Sequence, residues 1–168
     1  EQAVDLVWTL NAPEVYDREP DRRLPVLYWL HGSGGGLAGV APLAERFDAA
    51  IRAGKAPPML VVFPNGLELS LWVDSKDGAT PVETVVIRDL IPHVDATWRT
   101  LASREGRLVE GFSMGGYGAA RFGLRYNGLF GAVSILAGGP LQHDFSDAPR
   151  IGPRGREEVL MRVFGGDT

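Results

Sequence analysis

The sequence predicts an α/β domain on a mostly parallel sheet, and three observations carry that prediction. Short apolar runs alternate with segments of helical periodicity along the chain. The runs at 25–30 and 59–63 are apolar throughout, as strands covered on both faces are. Two glycine-rich turns stand directly after predicted strands, at 31–36 and 111–116.

Taken in order, Val4 to Leu10 is the first predicted strand, and Asn11 to Arg23 is a polar, proline-bearing connection. Pro25 to Leu30 is the second strand. Pro42 to Arg52 is predicted helical, because Leu43, Phe47 and Ile51 fall on one face and Gly54 ends the pattern. Met59 to Phe63 is a buried strand, turned out by Pro64-Asn65-Gly66, and Leu67 to Ala79 is a loop. In the next helix Thr80 is the expected cap, Pro81 the first residue and Glu83 the partner of a capping box. Val82, Val86, Leu90 and Val94 form its apolar stripe with Ile87 and Ile91, and Pro92 is expected to kink it. Leu108 to Phe112 is a strand, Met114 to Tyr126 a helix ended by Asn127-Gly128, and Gly131 to Leu136 the last evident strand. Arg154 to Phe164 is predicted helical.

Composition bounds the function. At 168 residues the chain is expected to be a single domain. It is 45% hydrophobic and 23% charged, with a formal net charge of -4, so neither nucleic acid nor an anionic membrane is an expected partner. No apolar run approaches the roughly 18 residues of a membrane span. With no cysteine, a disulfide scaffold, a thiol nucleophile and a thiolate metal site are excluded. His31, His93 and His143 lie far apart and make no metal-ligand pattern. The chain begins at Glu1 without a signal segment, as a processed, internally started or partly represented chain would.

The segment Gly111-Phe112-Ser113-Met114-Gly115 carries the chemistry. Strand, sharp turn and helix follow one another there, the context in which a G-x-S-x-G serine is held on a strained turn with its hydroxyl exposed. Gly111 and Gly115 leave room for strand and helix to approach, and the Met114 amide opens a helix where it can hold an oxyanion. A serine so placed is built to attack an acyl carbonyl. The loop His31-Gly32-Ser33-Gly34-Gly35-Gly36 supplies the expected second oxyanion amide, that of Ser33 or Gly34. A phosphate-binding loop would open the next helix with Gly-Lys-Ser/Thr, and this loop has no lysine.

These residues resemble the putative-esterase branch of the α/β-hydrolase superfamily, which holds feruloyl esterases, acetyl xylan esterases, S-formylglutathione hydrolase and the mycolyltransferases. The resemblance rests on Pro25 through Gly32, Val62-Phe63-Pro64-Asn65-Gly66, Trp72-Val73-Asp74-Ser75 and Glu83-Thr84. It continues with Leu90-Ile91-Pro92-His93-Val94, Gly111 to Gly118 and Phe164-Gly165-Gly166-Asp167, in the family's order and over nearly the whole chain. It implies an α/β-hydrolase fold, with a mostly parallel sheet flanked by helices. It also implies a serine carboxylic-ester hydrolase acting through an acyl-enzyme on Ser113, on small-molecule or carbohydrate-linked esters, a chemistry that needs neither metal nor cofactor.

In that family the catalytic acid and histidine both follow the Phe-Gly-Gly-Asp landmark. The expectation is therefore that 1–168 is one C-terminally incomplete domain whose acid and base lie outside it, with 131–136 left as an apolar edge. The alternative is a minimal chain completed by strands of a partner copy. His143, Asp144 and Asp147 come too early for the triad and are assigned to a surface loop or lid, and His93 is assigned a structural place. His31 is expected to brace the oxyanion turn.

Trp72 is either a wall of the acyl pocket or loop packing; Asp74 is loop bracing or a solvated acid; Tyr117 touches the leaving group or packs in the core. Arg150, Arg154 and Arg156 form a solvated basic face. Three rival functions remain: an acyltransferase in which an alcohol replaces water, a peptidase, and a non-catalytic binding module that kept the fold. The absence of cysteine and the analogy with carbohydrate esterases favour a secreted or periplasmic location over a cytoplasmic one.

Overall fold

A computed structural model describes residues 7–138 and Val163. Its centre is a five-stranded sheet: β1 (Trp8–Asn11), β2 (Val26–Leu30), β3 (Leu60–Pro64), β4 (Arg107–Phe112) and β5 (Ala132–Leu136), in spatial order β1-β3-β2-β4-β5. β3, β2, β4 and β5 run parallel, and β1 adds antiparallel beside β3 with Trp8 opposite Pro64. The mostly parallel sheet read from the sequence is therefore present.

The apolar strands are sorted by their period of two. Tyr28 and Leu30 of β2 join Leu60, Val62 and Val109 in the main core, under the helices that carry Val86, Val94 and Phe122. Leu27, Val61 and Phe63 point the other way and are covered by Leu43, Phe47 and Ile51 of α2 (Val40–Arg52). The predicted helix face is the one that packs.

The connection after β1 holds a helical turn the sequence reading did not place, α1 (Glu14–Arg18). It exists to seat one side chain. Tyr16 is buried against Trp98, its hydroxyl accepts from the Arg99 amide at 3.1 Å, and the Arg99 guanidinium lies 3.7 Å over its ring.

The next helical segment differs from the expected capping box. It begins as α3 (Val82–Thr84), continues as a π-helical stretch (Val85–Leu90) and ends as α4 (Ile91–Thr97). Thr80 does not cap; its amide donates to the Ser75 hydroxyl at 2.9 Å. Asp74 takes the capping role from the preceding loop, accepting from the amide and the hydroxyl of Thr84 at 2.9 and 2.6 Å. Pro92 has no amide hydrogen to give and its ring crowds the carbonyl four residues earlier. The π-helical stretch, with its wider hydrogen-bond spacing, lies directly before it.

Glu83 leaves the capping box for a tertiary role. It is 2% exposed and accepts from Arg121 Nε at 2.6 Å and from the Tyr126 hydroxyl at 2.6 Å. Arg125 pairs at 3.1 Å with Oε1, the oxygen that also accepts from Tyr126, so Glu83 ties α3 to α5 (Met114–Arg125), the helix that follows Ser113. Burial and the Glu83 carboxylate together raise the Tyr126 hydroxyl above its ordinary pKa, which keeps it a donor.

β5 is the last strand among the described residues and is open, with Val133, Ile135 and Leu136 42%, 52% and 43% exposed. The expected helix at 154–164 lies outside the described residues except for Val163, which is helical and buried.

Removing the Glu83 carboxylate strands two arginines and a phenol at the α3–α5 contact. Glu83→Ala should cost about 2–3 kcal/mol in urea unfolding and Glu83→Gln about 1, because the amide keeps one acceptor. A loss below about 0.5 kcal/mol for the alanine variant would mean that solvent screens the cluster.

Candidate active site

Ser113 sits between β4 and α5 at φ 54 and ψ -114, a left-handed-side conformation costly for a residue with a side chain. Two contacts hold it there. Its amide donates to the Leu136 carbonyl of β5 at 2.8 Å, and its carbonyl accepts from the Tyr117 amide at 3.1 Å. The turn is closed so tightly that a Cβ on Gly111 would lie 2.0 Å from the Gly115 carbonyl oxygen, and one on Gly115 would lie 1.9 Å from that of Leu30. Only glycine fits at either position, which is the physical content of the G-x-S-x-G spacing. The hydroxyl-bearing residue itself is half-buried.

The glycine loop after β2 lies against this serine. A Cβ on Gly32 would meet Ser113 Cβ at 3.3 Å and the Phe112 carbonyl at 3.2 Å. The two amides named from the sequence stand differently in the loop. The Gly34 amide, at φ 67, donates to the Glu68 carbonyl at 2.9 Å, and the Gly35 amide turns back to the Gly32 carbonyl at 3.1 Å. The amides of Ser33 and Met114 have no acceptor among the described residues.

His31 and Trp72 hold the loop from below. The His31 ring is 5% exposed; its Nε2 accepts from the Gly66 amide at 2.9 Å, and its Nδ1 lies 2.8 Å from the Gly32 carbonyl. Trp72 donates through Nε1 to the His31 carbonyl at 3.1 Å, with the two rings edge to face at 5.0 Å. Trp72 is fully buried. It reaches that place because Leu71 and Trp72 both take positive φ, 54 and 57. Gly66 and Gly118 make room for it, since a Cβ on either would come within 2.6 Å of Trp72 carbon atoms.

Tyr117 is half-buried and packs with Leu69 and Leu71 against Val73 and Val163. Asp74 is bound to Thr84, as described. His93 is exposed and stands edge to face with Trp8 at 5.6 Å. His143, Asp144, Asp147, Arg150, Arg154 and Arg156 lie outside the described residues. Among the described residues no group of three or more His, Cys, Asp or Glu is placed to hold a metal, and no helix is long and apolar enough to cross a membrane.

A cavity of about 460 Å³ opens beside the loop, bounded by His31 to Gly36 and by Trp29, Val40, Phe63 and Phe112. The sequence reading did not single out these apolar residues as a site. Period-two alternation could have found them, because Trp29 must point away from buried Tyr28, toward the face that Phe63 shares.

A strained serine at a strand-to-helix turn, opposed by a glycine loop after an earlier parallel strand, defines the fold as that of the α/β-hydrolases. The chain belongs to the family described as "Putative esterase", whose match spans residues 7–147. It is 36% identical over 141 residues to an esterase of Mycobacterium tuberculosis, covering 79% of this chain and 29% of that protein. It is also 36% identical over 124 residues to an endo-1,4-beta-xylanase/feruloyl esterase of Xylanibacter ruminicola, covering 70% of this chain and 17% of that protein. The chain thus spans less than a third of the length of either relative. Among solved structures it resembles a ferulic acid esterase (TM-score 0.66, 27% identity, 73% of this chain and 50% of that one). It also shares the fold of an S-formylglutathione hydrolase from Agrobacterium tumefaciens (TM-score 0.70, 20% identity, 96% and 60%).

Glycine to alanine inside a helix ordinarily stabilises by up to about 1 kcal/mol. At Gly118 the sign should reverse, because the new methyl would lie 2.6 Å from Trp72 Cβ. Thermal or urea unfolding of Gly118→Ala should show a loss of about 1–3 kcal/mol. A gain would mean that Trp72 is free to withdraw from α5.

Proposed function

We propose that this chain carries the nucleophile and oxyanion hole of a serine carboxylic-ester hydrolase. The observation that bears most weight is the pairing of strained Ser113 with two amides, those of Ser33 and Met114, that have no acceptor among the described residues. Ser113 Oγ attacks the ester carbonyl while a general base takes its proton. The carbonyl oxygen becomes an oxyanion held by the two amides. The C–O bond to the alcohol breaks, the alcohol leaves with the proton, and water repeats the sequence to release the acid.

The base is a residue outside the described ones. Among these only His31 and His93 carry an imidazole: both ring nitrogens of His31 are engaged by backbone, and His93 stands against Trp8. The apolar cavity beside the loop suits the organic part of the ester, from an acetyl to an aromatic group in size. Likeness to a xylanase/feruloyl esterase supports carbohydrate-linked esters as the substrate class.

Hydrolysis of p-nitrophenyl acetate by the full chain should fall by at least about 10³-fold in Ser113→Ala. Equal rates would overturn the assignment. Product analysis with a sugar alcohol present separates water from alcohol as the acyl acceptor: free acid alone marks a hydrolase, and a new ester marks a transferase.

A further inference from the structure

We propose that His31 is a positioning residue for this ester chemistry, acting only as a neutral imidazole with its proton on Nδ1. The catalytic consequence rests on the esterase reading; the proton's location does not. The buried ring bridges two segments that meet at the site, the glycine loop after β2 and the Pro-Asn-Gly turn after β3. Because Gly66 N–H is a donor, Nε2 must present its lone pair. The single proton of the neutral ring then sits on Nδ1, facing the Gly32 carbonyl 2.8 Å away. Gly32 is the residue in contact with Ser113, and Ser33, the owner of the free amide, follows it.

A second proton would break this arrangement. Nε2–H would face Gly66 N–H across 2.9 Å, two donors with no acceptor between them, and the buried Gly66 amide would lose its partner. The loop cannot simply turn away, because the His31 carbonyl is held by Trp72 Nε1 and the Gly34 amide by the Glu68 carbonyl. Protonation is therefore transmitted to Gly32 and to the Ser33 amide. No acid among the described residues is bonded to the ring to offset the new charge. Asp74 is committed to Thr84, Glu68 is exposed, and Glu110 of β4 is paired beside Trp29.

The test has a readout that needs no turnover. Long-range 1H–15N spectra of the full chain, with His31 assigned by comparison with His31→Gln, should show the Nδ1–H tautomer at neutral pH. On acidification the Gly66 and Ser33 amide resonances should move with the same midpoint as the His31 ring. An Nε2–H tautomer, or amides that ignore the ring's titration, would each overturn the proposal; a ring that stays neutral until the chain unfolds keeps the proposed form throughout.

The kinetic arm uses the same variants. His31→Ala should lower kcat by about 10²-fold, with KM held within about twofold. His31→Gln should recover most of that loss, since its amide oxygen can accept from Gly66. Where the spectra show the ring gaining a proton in the folded chain, kcat/KM of the wild type should fall with that same midpoint, and His31→Gln should lose this component of the profile. A profile unchanged by His31→Gln across that midpoint would overturn the catalytic coupling. Absence of any Ser113-dependent turnover, with the spectra as expected, would sink the esterase reading and leave the tautomer standing.

Discussion

The glycine loop at 31–36 belongs to no helix or strand, lying between β2 and a 3-10 turn at Leu37–Gly39, so its place beside Ser113 depends on what lies beneath it. That support is the buried junction of Trp72 with His31. Trp72 reaches three elements at once: its indole nitrogen holds the His31 carbonyl, its ring fills the space left by Gly66, and its Cβ rests on Gly118 of α5. Two successive positive-φ residues are needed to bring it there, a local cost of order 1–3 kcal/mol each that the surrounding packing must offset. The same junction fixes α5 and the glycine loop in one frame, as the proposed two-amide oxyanion hole would require, since its amides come from different segments.

The nucleophile elbow is rigid for a complementary reason. Gly111, Gly115 and the Leu30 carbonyl are packed at distances that admit no Cβ, so Ser113 can relax its backbone only by moving β4 away from β2, in the middle of the sheet. Glu83 adds a third restraint from the far side of α5 by gathering Arg121, Arg125 and Tyr126 onto α3. The fold around Ser113 rests on this framework, and the proposed chemistry on the smaller set of groups beside it.

Much of this was legible in the sequence because the relevant constraints are local. The elbow announces itself through glycines that close packing makes obligatory, and β2, β3 and the α2 face follow from unbroken or four-residue apolar patterns. The rest depends on partners distant in sequence. That the Gly34 amide is engaged by the Glu68 carbonyl is something no rule of turn chemistry could place. Glu83 satisfies the local pattern of a capping box, yet arginines on a later helix claim it. Trp72 reads equally well from the sequence as pocket wall or packing, because its burial depends on two left-handed residues and on glycines distant in the chain.

Ser113 as the attacking atom is tested most directly by covalent trapping. Incubating the full chain with a fluorophosphonate probe, followed by intact mass and peptide mapping, should give one adduct per chain, located on Ser113. No adduct under conditions in which the chain is folded, or an adduct on another residue with Ser113 unmodified, would contradict it.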